Sequence, residues 1–470
     1  MRDTSKGETA GRGPRPRRHA AAIMMAAAAL GTALLLAAAP GTGLGLRALG
    51  DGLGLSHLGE RPSTYRYHFS RPPQGAITNL LRDEIAFYQS RITRTPQSGL
   101  DRAGLAEAYL KMARVSGALG WYLLAEDTAR ESLTNLPVSN AAAALVLARV
   151  AEARHDFATA IRLARAAGPT ADSLPIVVTS NLARGDVPVA ARAVADLVAA
   201  DPSLRSYTLR ALVEVARGLD EEAEADFHRA LAMEEPEEVA SSTWVRSLYG
   251  RFLYQRGRLD RAGELFNEAL RILPQYPYAL TGLAVLELRQ GHYAAAIDHL
   301  TRVVTVSRAS PNVYDHVVLR GLAQAKELEG RPNEAAQFWA DAEARLRQDV
   351  ASGAYGHRRE LARLLLTRGH PEDLPEVLSL LRAELTVRTD PDTLDTLAWG
   401  LSRAERWQEA DHAAHQALRW GVRDARYFYR AATTAQALGN AAQARAYRRL
   451  MRAADPTFDE RALEVAGIGL

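Results

Sequence analysis

One short pattern recurs along most of this chain: a Gly, a few polar residues, an Ala, and then a helical run with Leu and a bulky apolar residue. The clearest copy lies between Gly257 and Pro274. Gly257 to Gly291 is 34 residues, and so is Ala262 to Ala296. Periodicity of this length predicts a stacked array of helical pairs in which each unit packs against its neighbours.

Most of the chain carries further copies, although their spacing is not uniform. Three Gly-to-Gly intervals are 39 residues instead of 34, beginning at Gly218, Gly291 and Gly330, so those units hold five extra residues. Weaker copies centre on Ala125, Ala160 and Ala190, and in the copy after Gly369 the second helix is carried by Val377, Leu378 and Leu381. The matching small and bulky residues of the strong copies are Ala211, Gly218, Ala223, Phe227, Ala230, Gly250, Ala262, Phe266, Ala269, Leu280, Leu283, Ala284, Tyr293, Leu300, Leu322, Ala323, Ala335, Trp339, Ala342, Leu397, Ala398, Trp407, Ala410, Ala417, Ala432, Gly439, Ala444 and Pro456.

This pattern resembles the tetratricopeptide repeat (TPR) family, in which each unit is a helix, a short turn and a second helix. The resemblance covers roughly residues 100 to 460 and implies an all-α fold, a right-handed α-solenoid of helix-turn-helix repeats preceded by an N-terminal apolar helix. We expect an array of about ten units in residues 76–460, best formed in residues 204–345 and 391–458, and a C-terminal tail in residues 461–470. The Gly between the two helices is expected to adopt a positive φ.

The N-terminal segment predicts export or membrane attachment. Residues 1–19 are basic, and residues 20–39 are uncharged and apolar, which fits a secretory signal peptide. The same stretch is also long enough to stay as a transmembrane anchor, and the sequence leaves both alternatives open. Residues 40–75 are rich in Gly and Pro and predict a flexible linker. With positive charge before the apolar stretch, we expect an extracytoplasmic array, typical of bacterial exported or membrane-anchored members of the family.

Composition argues against catalysis and against nucleic-acid binding. The chain has no Cys, no Walker motif, no Gly-x-Ser-x-Gly and no His-Glu-x-x-His, so we expect no enzyme, no cofactor and no metal. The first 20 residues hold six of the 58 cations and two of the 55 anions, which leaves 52 cations and 53 anions for the rest. A nucleic-acid-binding array would normally keep a basic excess there.

The resemblance implies that the first helices of the units line a concave face. Aromatic and Arg side chains on such a face favour peptide recognition. The sequence therefore predicts a non-catalytic protein-interaction scaffold, with a cytoplasmic peptide-sensing regulator as the alternative and no small-molecule substrate. The expected partner-binding residues are Trp244, Ser247, Arg251, Tyr254, Tyr278, Thr281, Arg320, Gln324, Glu327 and Trp399, with Tyr429 at the end of the surface. For Trp244 and Tyr254, packing between units is the competing interpretation.

Overall fold

Helices form wherever small and bulky apolar residues recur every three or four positions. A computed structural model describes residues 64–236, 238–307, 311–352 and 356–465, and these ranges contain no β-strand. The α-helices are α1 (Ala76–Arg94), α2 (Gly99–Ser116), α3 (Leu119–Asn135), α4 (Ala141–Ala153), α5 (Phe157–Ala166), α6 (Leu174–Arg184), α7 (Val187–Ala200), α8 (Leu204–Ala216), α9 (Asp220–Ala232), α10 (Val239–Gln255), α11 (Leu259–Ile272), α12 (Pro277–Gln290), α13 (Tyr293–Ser307), α14 (Asp315–Leu328), α15 (Pro332–Ser352), α16 (Arg358–Arg368), α17 (Leu374–Leu385), α18 (Pro391–Arg403), α19 (Trp407–Leu418), α20 (Ala425–Ala437), α21 (Ala441–Ala454) and α22 (Glu460–Val465).

The helices pack as hairpins. Each even-numbered helix from α2 to α20 packs against the helix that follows it, which gives ten units, numbered here from unit 1 (α2 and α3) to unit 10 (α20 and α21). The first helices of neighbouring units also contact one another, as α10 does α12, so they share one face of the array. Helix α1 packs against α2 ahead of unit 1, and α22 packs against α12.

Small residues stand where the helices cross. Ala262 and Ala296 are completely buried, and Gly257 and Gly291 between the paired helices have φ of 68° and 81°. The unit that contains Gly369 has a larger residue, Val377, buried on its second helix. The space for Val377 is provided by Gly400 on α18 of the next unit, where an added Cβ would lie only 3.2 Å from the Val377 side chain.

The array coils back on itself after six units. The turn between the paired helices in each of units 1 to 4 meets the start of the first helix six units later, and the corresponding turns of units 5 and 6 meet the residues after α21. Residues 166 to 205 positions apart are thus in direct contact. The bonds include Leu119 N to Pro311 O (2.8 Å), His155 Nδ1 with Gly356 O (2.9 Å), Thr389 N to Arg184 O (3.0 Å) and Arg289 Nη2 to Asp455 Oδ2 (2.8 Å).

The structure corrects the predicted chain ends. Residues 64–71 are not part of a flexible linker, because Tyr65 and Tyr67 are buried against α9, α10 and α11; we call this segment the arm. Residues 461–465 are not a free tail, because they belong to α22. The predicted apolar helix at 20–39 lies outside the described residues. Among the described helices, none is both long and apolar enough to cross a bilayer.

Candidate functional site

Some of the predicted concave-face residues serve packing. Ser247 and Thr281 are buried, and their hydroxyls donate to carbonyls of their own helices, at Thr243 (2.9 Å) and Pro277 (3.0 Å). Trp244 is half-buried and packs against the apolar clusters on both sides of it. Trp244 thus packs between units, as its competing interpretation holds, and the hydroxyls of Ser247 and Thr281 are used within their own helices.

Arg251 lies in a cluster of ion pairs at the centre of the coil. Its guanidinium is 4.0 Å from the carboxylate of Asp392, which also accepts from Arg363 (3.0 Å) and from the Tyr427 hydroxyl (2.7 Å). Burial alone would raise the pKa of Asp392, but the Arg363 and Arg426 guanidinium groups hold it well below its usual value. The carboxylate therefore stays ionised and joins unit 5 to units 8, 9 and 10.

This ionic centre leaves little room for a ligand. The cavity beside it measures about 50 Å³, which suits one or two waters and not a peptide. Tyr254 lies in its wall, with the Arg289 guanidinium 5.3 Å from the ring centroid. Half-buried Tyr278 packs beside Tyr254 against the apolar cluster of units 4 and 5. The first helix of unit 5 thus faces units 8 to 10 of the coil across a narrow, partly open space.

Arg320 lies at the edge of this ionic centre. It is 1% exposed, and burial followed by the charge of Arg363 lowers its pKa to about 9. In the part of the chain that the structure describes, it takes part in no ion pair. One turn further along α14, Gln324 reaches a second and larger cavity.

The larger cavity, of about 450 Å³, opens on the first helices of units 7 to 10, and we call it the aromatic cavity. It combines three aromatic rings with amide, hydroxyl and charged groups. Three of the predicted residues, Gln324, Glu327 and Trp399, meet here. The full lining is Gln324, Glu327, Thr367, Trp399, Ser402, Arg403, Trp407, Tyr429, Arg430, Thr433 and Leu463.

Charged side chains lie beside the Trp399 ring and on the wall of the aromatic cavity. The Arg430 guanidinium lies 4.4 Å from the Trp399 ring centroid and donates to Asp395 (2.8 Å), which is almost fully buried. Burial raises the pKa of Asp395, although Arg430 opposes that rise. On the opposite wall, Glu327 is exposed and accepts from Trp339 Nε1 (2.9 Å). The cavity therefore combines aromatic rings with nearly balanced charge.

Helix α22 separates the two cavities, which the sequence did not indicate. Leu463 faces the aromatic cavity, while Ala462 and Val465 line the ionic centre. Just before the helix, the Phe458 ring lies 6.2 Å from that of Tyr429. Sequence reasoning also missed Arg430 and its partner Asp395, because on the first helices of units 9 and 10 it selected the aromatic residues Trp399 and Tyr429 and not the charged pair beside them. The described residues include no group of three or more acidic or His side chains that could hold a metal.

Residues 238–309 match the family model described as tetratricopeptide repeat. Solved structures with a similar arrangement include a human IFIT1 dimer with PPP-AAAA, 14% identical, covering 79% of this chain and 94% of that one, with a TM-score of 0.42. A tetratricopeptide repeat protein from Parabacteroides merdae is 18% identical; the match covers 53% of this chain and 93% of that one, with a TM-score of 0.35. The MamA protein is 16% identical; the match covers 39% of this chain and 96% of that one, with a TM-score of 0.30. No curated protein matches the chain.

Proposed function

We propose that this protein is a non-catalytic scaffold that binds a partner protein by holding a short peptide segment of it in the aromatic cavity. The observation that carries the proposal is the cavity itself: about 450 Å³, with the partly exposed rings of Trp399 and Tyr429 beside amide and hydroxyl groups. Aromatic anchors in a pocket with a few polar groups are the usual source of binding energy at peptide sites.

The charge of the cavity favours a peptide over a nucleic acid. Asp395 neutralises Arg430, and Glu327 on the opposite wall balances Arg403. Binding to a phosphate backbone draws on several uncompensated cations, which this cavity does not offer. A segment with apolar or aromatic side chains and a free main chain fits such a surface better.

The scaffold is proposed to act outside the cytoplasm, tethered to the membrane or exported. This part rests on the basic residues 1–19 followed by the apolar residues 20–39. The alternative is a cytoplasmic peptide-sensing regulator with the same cavity. Fractionation of cells distinguishes them: full-length protein in the cytoplasmic fraction refutes export and leaves the peptide site intact.

The peptide site is tested by selecting binders from a displayed peptide library on the full-length protein. Fluorescence anisotropy then compares wild type with Trp399→Ala and with Trp121→Ala, which removes a ring stacked on Tyr109 in unit 1, away from the cavity. We expect about tenfold weaker binding or more for Trp399→Ala and little change for Trp121→Ala. Equal binding of the selected peptides to all three proteins would refute the aromatic cavity as the peptide-binding site. Salt-sensitive binding of single-stranded RNA, lost in Trp399→Ala, refutes the peptide as its ligand.

A further inference from the structure

The arm has the form of a bound peptide. Residues 64–71 belong to no helix or strand, and their side chains alternate between the array and solvent: Tyr65 and Tyr67 are buried, whereas Arg66 and His68 are exposed. Many domains bind a linear peptide as an extended segment whose alternate side chains are buried. Main-chain hydrogen bonds then provide affinity, and the side-chain pockets provide specificity.

Tyr65 fills a pocket built for a phenol ring. The ring lies 5.4 Å edge-on from that of Tyr249 and stacks at 6.3 Å on His228. The Arg261 guanidinium lies 5.7 Å from the ring centroid, and its Nε donates to the Tyr65 hydroxyl at 2.8 Å. Burial raises the pKa of Tyr65, so the hydroxyl stays protonated. A Phe would fit the space but leave the Arg261 Nε–H without this acceptor.

Tyr67 occupies a second pocket one step along the arm. Its hydroxyl donates to the carbonyl of Pro236 at 3.1 Å, in the loop after α9. The Arg246 guanidinium lies 5.7 Å from its ring centroid. The Phe69 ring packs edge-on against Tyr67 at 5.5 Å. The groove thus contacts both tyrosines at the ring and at the hydroxyl.

Two buried charged side chains bind the main chain of the arm. Arg246 is 1% exposed; it pairs with Glu234, and its Nε donates to the Tyr65 carbonyl at 2.9 Å. Glu268 is also 1% exposed, and its carboxylate accepts the Tyr67 N–H at 2.8 Å. Burial alone would raise the pKa of Glu268, but the Tyr67 N–H and the Arg271 guanidinium hold it below its usual value.

The last contact adds a charge preference. Arg71 reaches the same Glu268 carboxylate at 3.3 Å, four residues after Tyr67. Without the arm, Glu268 would keep Arg271 and lose both its main-chain donor and this second cation. Leaving a buried carboxylate short of donors is unfavourable, so an empty groove is expected to favour refilling.

We propose that the groove formed by α9, α10 and α11 is a peptide-recognition site for an extended Tyr-x-Tyr segment with an Arg four residues further on, and that the arm is its built-in, exchangeable ligand. This site is separate from the aromatic cavity, because its contacts come from units 4 and 5 and the loop between them, whereas the cavity is lined by units 7 to 10 and α22. It gives the scaffold a second interaction surface, closed as long as the chain fills it with residues 65–71.

The test empties the groove and refills it in trans. Tyr65→Ala with Tyr67→Ala in the full-length protein removes both ring anchors, and a fluorescein-labelled peptide of residues 64–73 is added while anisotropy is recorded. We expect binding to the double variant and at least about tenfold less to wild type, whose own arm competes. A peptide with both Tyr replaced by Ala is expected to bind at least about tenfold more weakly, and adding Arg261→Ala to the variant to weaken binding about fivefold.

A second measurement needs no variant. Hydrogen exchange of arm amides in wild-type protein is followed with and without a large excess of the unlabelled peptide. Faster exchange at Tyr67 with the native peptide, and no change with the Ala-substituted one, supports an exchangeable ligand. A folded double variant that binds neither peptide, or both equally, overturns the proposal, as does unchanged exchange at every peptide concentration. Light scattering of the wild type and the double variant is a further measurement. A dimer in the wild type that is absent in the double variant would support the site, with the arm of a second copy as its occupant.

Discussion

Gly218→Ala tests whether the array closes on itself after six units. Gly218 has a φ of 73°, and an added Cβ would overlap the carbonyl oxygen of Gly421, six units further along the chain. The approach is reciprocal, since a Cβ at Gly421 would lie 2.8 Å from the carbonyl oxygen of Arg217. The obstacle is backbone on both sides, so no side chain can rotate away to relieve it.

The array supplies matched controls. Gly330 and Gly439 have nearly the same φ, 77° and 78°, but an added Cβ at either would meet no atom within 4 Å. Their replacement by Ala carries only the left-handed strain of about 1–2 kcal/mol, partly offset by about 0.4–1 kcal/mol from the stiffer unfolded chain. Gly218→Ala carries the same two contributions and, in addition, the overlap, at about 1–3 kcal/mol for a crowded, rigid contact.

Urea unfolding followed by circular dichroism compares the three variants. Because repeat arrays can unfold in parts, hydrogen exchange at residues 217–221 and 421–425 accompanies it. We expect the midpoint of Gly218→Ala to fall clearly below those of Gly330→Ala and Gly439→Ala, with faster exchange on both sides of the contact. Equal midpoints for all three variants, with unchanged exchange near Gly421, would show that the coil does not close there.

Two further predictions concern stability. Ala262→Leu overpacks a completely buried crossing beside Phe266 and is expected to lower stability by about 1–3 kcal/mol; an unchanged melting temperature would contradict the packing. Burial, followed by the charge of Arg388, lowers the pKa of His155 to about 3, so the folded state resists protonation that the unfolded chain accepts near pH 6.5. The contribution of His155 to the free energy of unfolding is therefore full above pH 6.5 and declines as the pH falls towards 3. At pH 5 the loss is about 1–2 kcal/mol, a value reduced for the partial exposure of the residue. Denaturant midpoints at pH 8 and pH 5 should differ less in His155→Asn, which tolerates the positive φ of 62° there; equal differences would refute this.

The repeat units follow from the sequence because their determinants are local. The pattern from Gly257 to Pro274 contains the positive-φ glycine, the small residue at the crossing and the proline that follows α11. Each of these acts within one unit or on its direct neighbour, so a window of 34 residues is enough to recognise them. Even the irregular unit after Gly369 shows its core residue, Val377, although its compensating Gly400 belongs to the next unit.

The closure of the coil could not be predicted in this way. It depends on small rotations added over six units, including those with five extra residues, and it joins positions such as Arg184 and Thr389 that share no local pattern. The arm did leave a signal in the sequence. Tyr65, Tyr67 and Phe69 place three aromatic rings in alternation after a Gly-rich stretch, which is unusual for a free linker and typical of an extended segment bound on one side.

Closure also decides which part of the inner face is available for binding. In unit 5 the predicted residues Arg251 and Tyr254 meet units 8 to 10 across a space of about 50 Å³, so their side chains stabilise the coil. The first helices of units 7 to 10 keep a cavity of about 450 Å³, to which α22 contributes Leu463. One repeat pattern therefore produces two different surfaces: positions equivalent in sequence form an ionic core in one part of the array and an aromatic binding site in another.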